Sequence, residues 1–376
     1  MPQVLQITAY LGIKPLQENR FLYLLRQGNS AHRIFWAIVG VDFAAYMLLR
    51  LLRPDLAPTN VLLGPLTVFG LSLPIMLLCL FMLRFYHVAR YVKPEKPGLA
   101  LLKDMKEFLT HPQRMANGLP MLAIMVIFGF IFSDIQAKIL TLNPSTWDST
   151  FANLDKTLHF GYQPWQWLQP VLGYAPITFL LNVNYNIWFF VMWMFFIFFG
   201  FAYEPSVLRT RFFLSYIATW IIGGGVLATI FASAGPCYYS RLGLSPDPYT
   251  GLMSYLRSVN DVLPVWAIQI QDALWLGHVN QVELSEVSAM PSMHNASALL
   301  FAFVGYQINR FWGRVLALHA ALIFIGSVHL AWHYAIDGYA SWLLVVVIWF
   351  AMAPVARWWH TAEVQKDFDA ALKSGI

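Results

Sequence analysis

The feature of this sequence that most constrains its fold is a series of eight apolar runs. Each is close to the 20 residues, roughly, that a helix needs to cross about 30 Å of hydrocarbon. They occupy residues 34–52, 61–83, 119–139, 175–203, 212–234, 292–308, 313–328 and 332–355. Because backbone groups in lipid must be hydrogen-bonded within the protein, these runs predict an all-α polytopic membrane protein with about eight transmembrane helices.

The composition excludes an ordinary soluble domain. Only 11% of the residues are charged and the mean hydropathy is +0.56, whereas soluble domains are about one quarter charged. The net charge of +5 does not indicate a nucleic-acid partner, because basic residues in a membrane protein mainly mark cytoplasmic loops. The two cysteines, Cys79 and Cys237, form neither a disulfide framework nor a metal motif.

The distribution of Lys and Arg predicts the orientation. Eight crossings place only six of the 24 basic residues on the face opposite the termini. These six are Arg50, Arg53, Lys138, Lys156, Arg241 and Arg257. By the positive-inside rule both termini are cytoplasmic. Residues 1–33 lack the features of a secretory signal and form a polar to amphipathic segment. No eukaryotic retention or lipidation signal is visible, so a bacterial inner membrane is the expected location.

Two short motifs carry the candidate chemistry. Pro291–Ser292–Met293–His294 precedes the sixth run, and His333 and Asp337 stand where the eighth begins. The sixth and seventh runs form a hairpin, so both histidines lie at the same, extracytoplasmic face. A spacing of four residues on a helix would place the Asp337 carboxylate beside His333. One imidazole can then attack phosphorus while His294 protonates the leaving oxygen.

A phosphoryl group also needs donors or cations around its oxygens. Ser292, Asn295 and the backbone N–H groups that open the sixth helix are one candidate set, because a helix N-terminus binds anions. Arg241 is the best candidate phosphate clamp, followed by Arg257 and then Lys156; contact with lipid headgroups is the ordinary alternative. Tyr238 and Tyr239 either bind phosphate or belong to the aromatic belt.

Other polar residues leave alternatives open. On a continuous helix His329 would share a stripe with His333 and Asp337, which suggests a metal site, but no Cys or His cluster supports it; no metal or cofactor is expected. Asn182, Asn184 and Asn186 either satisfy one another between helices or face the cavity. The glycines at 223–225 favour close helix packing over phosphate binding.

The motifs resemble those of the type 2 phosphatidic acid phosphatase superfamily, whose second and third signatures read Pro-Ser-Gly-His and Ser-Arg-x5-His-x3-Asp. Pro291–Ser292–Met293–His294 matches the second signature with Met293 in place of glycine, and His333 and Asp337 match the end of the third. Gly326 and Ser327 stand where the family has Ser-Arg, and the first signature, Lys-x6-Arg-Pro, is absent from the sequence.

With these departures the sequence resembles the branch of inositol phosphorylceramide synthases and sphingomyelin synthases. Of the family residues, that branch keeps only the two histidines and the aspartate. The segments 235–239 and 158–161 also resemble the inositol phosphorylceramide synthases. The resemblance covers residues 119–355, approximately, and implies a six-helix catalytic core and a phosphohistidine at His333, supported by Asp337 and protonation by His294. The family arginine has no counterpart at Ser327, and Arg241 is the hypothesis for the cation that replaces it.

Three regions follow. Residues 1–116 hold the amphipathic segment, two extra transmembrane helices and a basic linker; residues 117–357 hold the six-helix core; and residues 358–376 form a cytoplasmic tail. The expected function is a lipid phosphotransferase whose partners are a phospholipid donor and a lipid or polyol acceptor. A phosphatase acting on lipid phosphates or polyprenyl (pyro)phosphates is one alternative, and a non-enzymatic lipid transporter is the other. No protein partner is identified by the sequence.

Overall fold

The structure is a computed structural model that describes residues 20–56, 63–144, 146–280 and 287–373. Its helices are α1 (Arg20–Ala31), α2 (Arg33–Leu52), α3 (Leu63–His87), α4 (Pro97–Thr110), α5 (Pro112–Gln136), α6 (Asp148–Leu158), α7 (Pro164–Leu172), α8 (Ala175–Gly200), α9 (Val207–Thr219), α10 (Thr250–Asn260), α11 (Trp266–Asn280), α12 (Met293–Ile308), α13 (Arg310–His329), α14 (Ala335–His360) and α15 (Glu363–Lys373). A π-helical turn, Val88–Val92, extends α3, and a π-helical segment, Trp220–Leu227, extends α9 to Ile230. No strand occurs in these ranges.

Seven helices in the described residues are long and apolar enough to cross a membrane: α2, α3 with its π-helical turn, α5, α8, α9 with its extension, α13 and α14. The remaining predicted span corresponds to α12, which has 16 residues and a length of about 24 Å. The prediction of an all-α polytopic membrane protein is therefore confirmed, with an approximate count of eight. Residues 1–19 of the predicted amphipathic segment lie outside the described residues.

Side-chain caps mark the start of each helix in the hairpin α12–α13. The Ser292 side chain accepts a hydrogen bond from the Asn295 N–H and caps α12. Asn309 ends α12 and caps α13 by accepting from the N–H of Trp312 at 2.9 Å. Both caps satisfy backbone donors that a helix start leaves open.

The predicted eighth helix starts later than its apolar run. Helix α13 ends at His329 and α14 begins at Ala335. In the turn between them Ala331 has φ +60°. His333 therefore precedes α14, and the continuous helical stripe from His329 through His333 to Asp337 does not form. The prediction was wrong here because the apolar residues of the turn are buried, so hydropathy does not mark it.

The bundle packs α12 and α13 together and places both against α8 and α14. Outside this group, α2 lies on α5, and α3 lies on α8. At one end of the bundle α1 and α15 pack together, and Trp359 Nε1 donates to the Ala31 carbonyl at 3.1 Å. The motifs at 291–294 and 333–337 lie at the other end of α14, which spans about 39 Å.

The segment 154–173, predicted to be an amphipathic helix and turn, forms the end of α6, a turn and α7. Its aromatic residues include Phe160, 87% exposed, and Trp167, 56% exposed. Large exposed aromatic side chains suit the headgroup layer of a membrane. The predicted region boundary at 116/117 falls inside α5, and the boundary at 357/358 falls inside the last turn of α14.

Candidate active site

His333 is held in one tautomer by its surroundings. Its Nδ1 lies 2.9 Å from the carbonyl oxygen of Ala289 and 3.4 Å from Oδ2 of Asp337. A carbonyl only accepts, so Nδ1 carries the proton and the lone pair of the neutral ring is on Nε2. The ring is 7% exposed. His333 therefore presents a nucleophilic nitrogen at the edge of the buried site.

Asp337 reaches His333 by a route different from the predicted helical spacing. It lies in the first turn of α14, where Oδ2 accepts from the backbone N–H of Tyr334 at 3.0 Å. The carboxylate thus caps its own helix and faces the imidazole that precedes the cap. Asp337 is fully buried, and its Oδ1 has no hydrogen-bond partner among the described residues.

His294 is the second residue of α12 and is half-buried. Its ring centre lies 6.5 Å from that of His333, with 55° between the planes. Aromatic rings hold it in place: Tyr185 stacks at 4.6 Å and Trp188 lies at 4.1 Å. The two imidazoles therefore lie beside each other in the site.

The start of α12 supplies backbone donors beside this gap. The N–H of Asn295 is taken by Ser292 Oγ at 3.4 Å, whereas the N–H groups of Met293 and His294 have no acceptor among the described residues. Free N–H groups and the helix dipole together attract an anion. The side chains of Ser292 and Asn295 are both buried, so they stabilise the start of α12 from inside the protein.

Ser327 joins the two motifs. Its carbonyl accepts from the N–H groups of Trp332 and His333, both at 3.0 Å. Its hydroxyl accepts from Asn295 Nδ2 at 3.1 Å, and the same amide donates to Ser292 Oγ at 3.0 Å. Asn295 therefore acts as a bridge between the start of α12 and the turn that carries His333.

Asp148, which the sequence reasoning missed, joins two segments of the site, the loop after α9 and the turn before α14. Its carboxylate accepts from the N–H groups of Ala234 at 3.0 Å and Gly235 at 2.8 Å, and from the hydroxyl of Tyr334 at 2.7 Å. The residue is fully buried. Burial raises the pKa of Asp148, and the hydrogen bonds from Ala234, Gly235 and Tyr334 offset part of that rise.

Asp155 was missed as well. Its two oxygens accept from the N–H groups of Ala335 at 2.7 Å and Ile336 at 2.9 Å, which open α14. Burial, followed in effect by the charge of Asp337, raises its pKa to about 7, against the lowering effect of the two amides. No local motif surrounds either acid in the sequence. The available signal was that charged residues are rare in this loop, and a buried acid needs a hydrogen-bond partner.

The structure joins Arg241 and Arg257 to Asp272. Arg241 forms an ion pair with Asp272, and Arg257 lies 3.2 Å from the same carboxylate. Although burial acts in the opposite direction, hydrogen bonds from Arg257 and Arg241 keep the pKa of Asp272 below its ordinary value. Neither arginine bonds to His294 or His333 among the described residues.

Tyr238 and Tyr239 are also engaged elsewhere. The Tyr238 hydroxyl donates to the Gln271 carbonyl at 3.0 Å, and its ring stacks on Trp275 at 5.2 Å. Tyr239 is 7% exposed and packs edge-on against Tyr249. In this structure both side chains therefore serve as packing elements of the loop that follows α9.

Tyr185 is a further residue that sequence reasoning missed. It is 6% exposed and stacks on His294, and its hydroxyl has no hydrogen-bond partner in the part of the chain that the structure describes. A buried hydroxyl without a partner is costly, so a bound group would stabilise it. Its position among Asn182, Asn184 and Asn186 was the available signal.

Two of the asparagines bond to groups on other helices, and the third bonds within α8. Asn182 Oδ1 accepts from the N–H of Ala267 at 3.2 Å, Asn186 Nδ2 donates to the Asn182 carbonyl at 2.8 Å, and Asn184 Oδ1 bonds the His319 ring at 3.0 Å. The glycines 223 and 224 permit close packing, as predicted: a Cβ on Gly223 would lie 2.8 Å from side-chain atoms of Leu344 and Met293.

His329 bonds Thr178 Oγ1 through Nε2 at 2.9 Å and is fully buried. Within the described ranges, no three His, Cys, Asp or Glu side chains are grouped closely enough to hold a metal ion. The suggested stripe of His329, His333 and Asp337 is interrupted by the turn before α14.

Comparisons with known proteins add one positive result. Neither the curated proteins nor the solved structures with which the chain was compared include a significant match. The sequence profile of the PAP2 superfamily matches residues 149–351. This match runs from α6 to within α14, covers just over half of the chain, and includes His294, His333 and Asp337. The chain is an integral membrane protein that belongs to the PAP2 superfamily.

Proposed function

We propose that this protein is a membrane lipid phosphotransferase that moves a phosphoryl headgroup through a covalent intermediate on His333. PAP2 superfamily members are typically phosphatases or phosphotransferases. The observation that carries the proposal is the pair of imidazoles 6.5 Å apart, one of them backed by a buried aspartate.

In the first step Nε2 of His333 attacks phosphorus of the donor lipid. A P–N bond forms as the P–O bond to the departing lipid alcohol breaks, and His294, in its protonated form, transfers its proton to that oxygen. The Nδ1–H of His333 stays with Ala289 and Asp337. Asp337 thereby stabilises the positive charge that develops on the attacking ring.

In the second step the hydroxyl of the acceptor gives its proton to His294 as its oxygen attacks the phosphohistidine. The P–N bond breaks and the neutral imidazole of His333 is restored. The N–H groups of Met293 and His294 and the free hydroxyl of Tyr185 are the donors available to the phosphoryl oxygens. These donors take the place of the arginine that the sequence lacks in the third signature.

Transfer and hydrolysis differ in which hydroxyl reaches the intermediate. The resemblance to the inositol phosphorylceramide synthase branch favours transfer to a ceramide-like or polyol acceptor. The low exposure of His333 supports this choice, because it limits access of water to the intermediate. Hydrolysis of lipid phosphates or polyprenyl (pyro)phosphates is the second candidate. A transporter leaves the paired histidines without a role.

Arg241 has a different proposed role from a direct phosphate clamp. Two arginines share one aspartate, so the cluster of Arg241, Arg257 and Asp272 retains one net positive charge. Such a charge attracts an anionic headgroup to the site without contacting phosphorus. The charge distribution of the loops supports cytoplasmic termini and an extracytoplasmic site. A bacterial inner membrane is the proposed location, because the sequence shows no eukaryotic retention or lipidation signal.

The test is a turnover panel with purified protein in lipid. Phospholipids and polyprenyl phosphates are supplied with and without ceramide, diacylglycerol or inositol, and wild type is compared with His333→Ala. His278→Ala is the matched control, because His278 lies in α11 outside the site. Headgroup transfer that is lost only in His333→Ala supports the proposal; free phosphate as the sole product replaces it with a phosphatase. Unchanged activity of His333→Ala refutes both.

A further inference from the structure

A second site lies within the membrane-spanning region, between α2, α5 and the extension of α9. It is a cavity of about 400 Å³ whose walls include Tyr46, Phe132, Trp220 and Ile230. That volume is within the range of small-molecule sites. The lining is almost wholly apolar, and none of His294, His333 and Asp337 belongs to it.

Gly225 borders the cavity. A Cβ on Gly225 would meet no atom of the described residues within 4 Å, whereas Gly223 and Gly224 face side chains of Leu344, Met293 and Phe132. The π-helical segment therefore has the start of α12 on one side and the cavity on the other. This thin wall separates the two sites while keeping them adjacent.

One face of α2 gives the cavity a polar end. Asp42, Tyr46 and Arg50 recur at a spacing of four residues, so they lie along one side of the helix. Asp42 lines the cavity near the middle of α2. Arg50 lies two turns further along, at the end of α2, and its guanidinium donates to the Leu56 carbonyl.

Charge is unevenly distributed along this face of α2. The Tyr46 hydroxyl donates to Asp134 Oδ2 at 3.0 Å, and Lys138 pairs with Asp134. Arg50, one turn beyond Tyr46, makes no ion pair with an acid in the described residues. Asp42 lies on the other side of Tyr46, one turn deeper in the cavity. The guanidinium of Arg50 therefore leaves a positive charge at the end of α2, which suits a ligand with a hydrocarbon body and an anionic head.

We propose that this cavity binds a hydrocarbon chain of an anionic membrane phospholipid whose phosphate lies against Arg50. Hydrocarbon chains are the abundant apolar molecules at this depth of a bilayer. The bound lipid is distinct from the lipid that is turned over, because the glycine wall lies between the cavity and the histidines. The inference rests on the membrane-spanning fold and not on the proposed reaction.

Occupation of the cavity supports the wall of the active site. The Trp220 ring, which lines the cavity, stacks on Trp188 with centres 6.4 Å apart. Trp188 in turn holds His294 at 4.1 Å. A lipid chain packed on Trp220 therefore limits the movement of the aromatic ring that positions His294.

The experiment is photolabelling in membranes with phosphatidylglycerol that carries a diazirine in its chain. A His333→Ala background removes turnover, so the result does not depend on the proposed function. Gly225→Leu fills the cavity without a backbone clash, and Gly129→Leu, also with open space around it, is the matched control. Val226→Phe, which adds bulk at another lining position, is a second filling variant.

We expect labels in α2 and the α9 extension and about tenfold less labelling in both filling variants, equal to about 1.4 kcal/mol of lost chain contacts. Gly129→Leu should retain the label. Arg50→Gln should abolish the preference for phosphatidylglycerol over phosphatidylcholine. Equal labelling of Gly225→Leu and wild type, or cross-linking of a second protein chain in place of lipid, overturns the inference.

Discussion

The hydrogen bond between Asp148 and Tyr334 offers a sharp test of how the site is held together. The Tyr334 hydroxyl donates to Oδ1 at 2.7 Å, and the carboxylate is fully buried. Hydrogen bonds to a charged group contribute about 1.5–3 kcal/mol. Tyr334→Phe should lower the free energy of unfolding by that amount, and Asp148→Ala, which orphans three donors, by about 3 kcal/mol or more.

The informative quantity is the coupling between the two changes. The double variant loses the shared bond once, so the sum of the single effects should exceed the double effect by about 1.5–3 kcal/mol. Denaturant unfolding in micelles, followed by tryptophan fluorescence, measures each value. Turnover of the same variants reports whether the turn before α14 has moved.

Tyr339→Phe provides the control for this cycle. Tyr339 lies in the first turns of α14, close in sequence to Tyr334, but its hydroxyl bonds His159 at 3.0 Å and not Asp148. Its combination with Asp148→Ala should be additive within about 0.5 kcal/mol. Additivity for the Tyr334 pair as well would refute the role given to Asp148.

Three further predictions follow from the geometry. Asp155→Asn should flatten the pH dependence of stability. Because the pKa of Asp155 is raised to about 7, the stability that this group contributes is present at low pH and is lost as pH rises through about 7. Unfolding midpoints between pH 5 and 8 measure this, and an unchanged slope of midpoint against pH contradicts it. Gly235→Ala should impair folding and activity far more than Gly243→Ala, because both have positive φ but only the Cβ at Gly235 would meet a backbone oxygen, that of Trp332 at 2.7 Å; expression and turnover compare them, and equal effects refute the close-approach argument. Arg241→Ala should raise KM several-fold with kcat nearly unchanged, because its partner is Asp272; a selective loss of kcat would restore it as a direct phosphate clamp.

The sequence predicted the membrane-spanning architecture because a helix in lipid must be apolar along its whole length. It also predicted the hairpin that connects the two histidine motifs, since a basic turn separates two apolar runs. The start of α12 followed from Ser292, whose side chain satisfies an N–H group as a cap requires. These features depend on local composition and are therefore readable from the chain alone.

The support around the site was not readable in the same way. Asp148 and Asp155 act on residues 86 to 186 positions away, and nothing in their neighbours marks them. The sequence pattern does not reveal the turn before α14, because the residues of a buried turn are as apolar as those of a buried helix. Asp337 reaches His333 across a helix cap, so the predicted contact occurs, but for a reason different from helical spacing.

The arginines show a limit of another kind. Arg241 was selected because basic residues are scarce on its face of the membrane. That criterion counts the available cations and does not say where each one lies in the folded chain. In the folded chain Asp272 lies between Arg241 and Arg257 and engages both. Which cation meets which anion depends on α10 and α11 packing together, and the sequence pattern does not specify that arrangement.

Trapping of the covalent intermediate would show directly whether His333 is the nucleophile. Wild type, His294→Gln and His333→Ala are each mixed with a nitrophenyl phosphodiester, whose leaving group departs without protonation, then quenched and analysed by peptide mass spectrometry. The account predicts a phosphoryl adduct on His333 in wild type and in His294→Gln, and no adduct in His333→Ala. An adduct on His294, or turnover by His333→Ala, would contradict it.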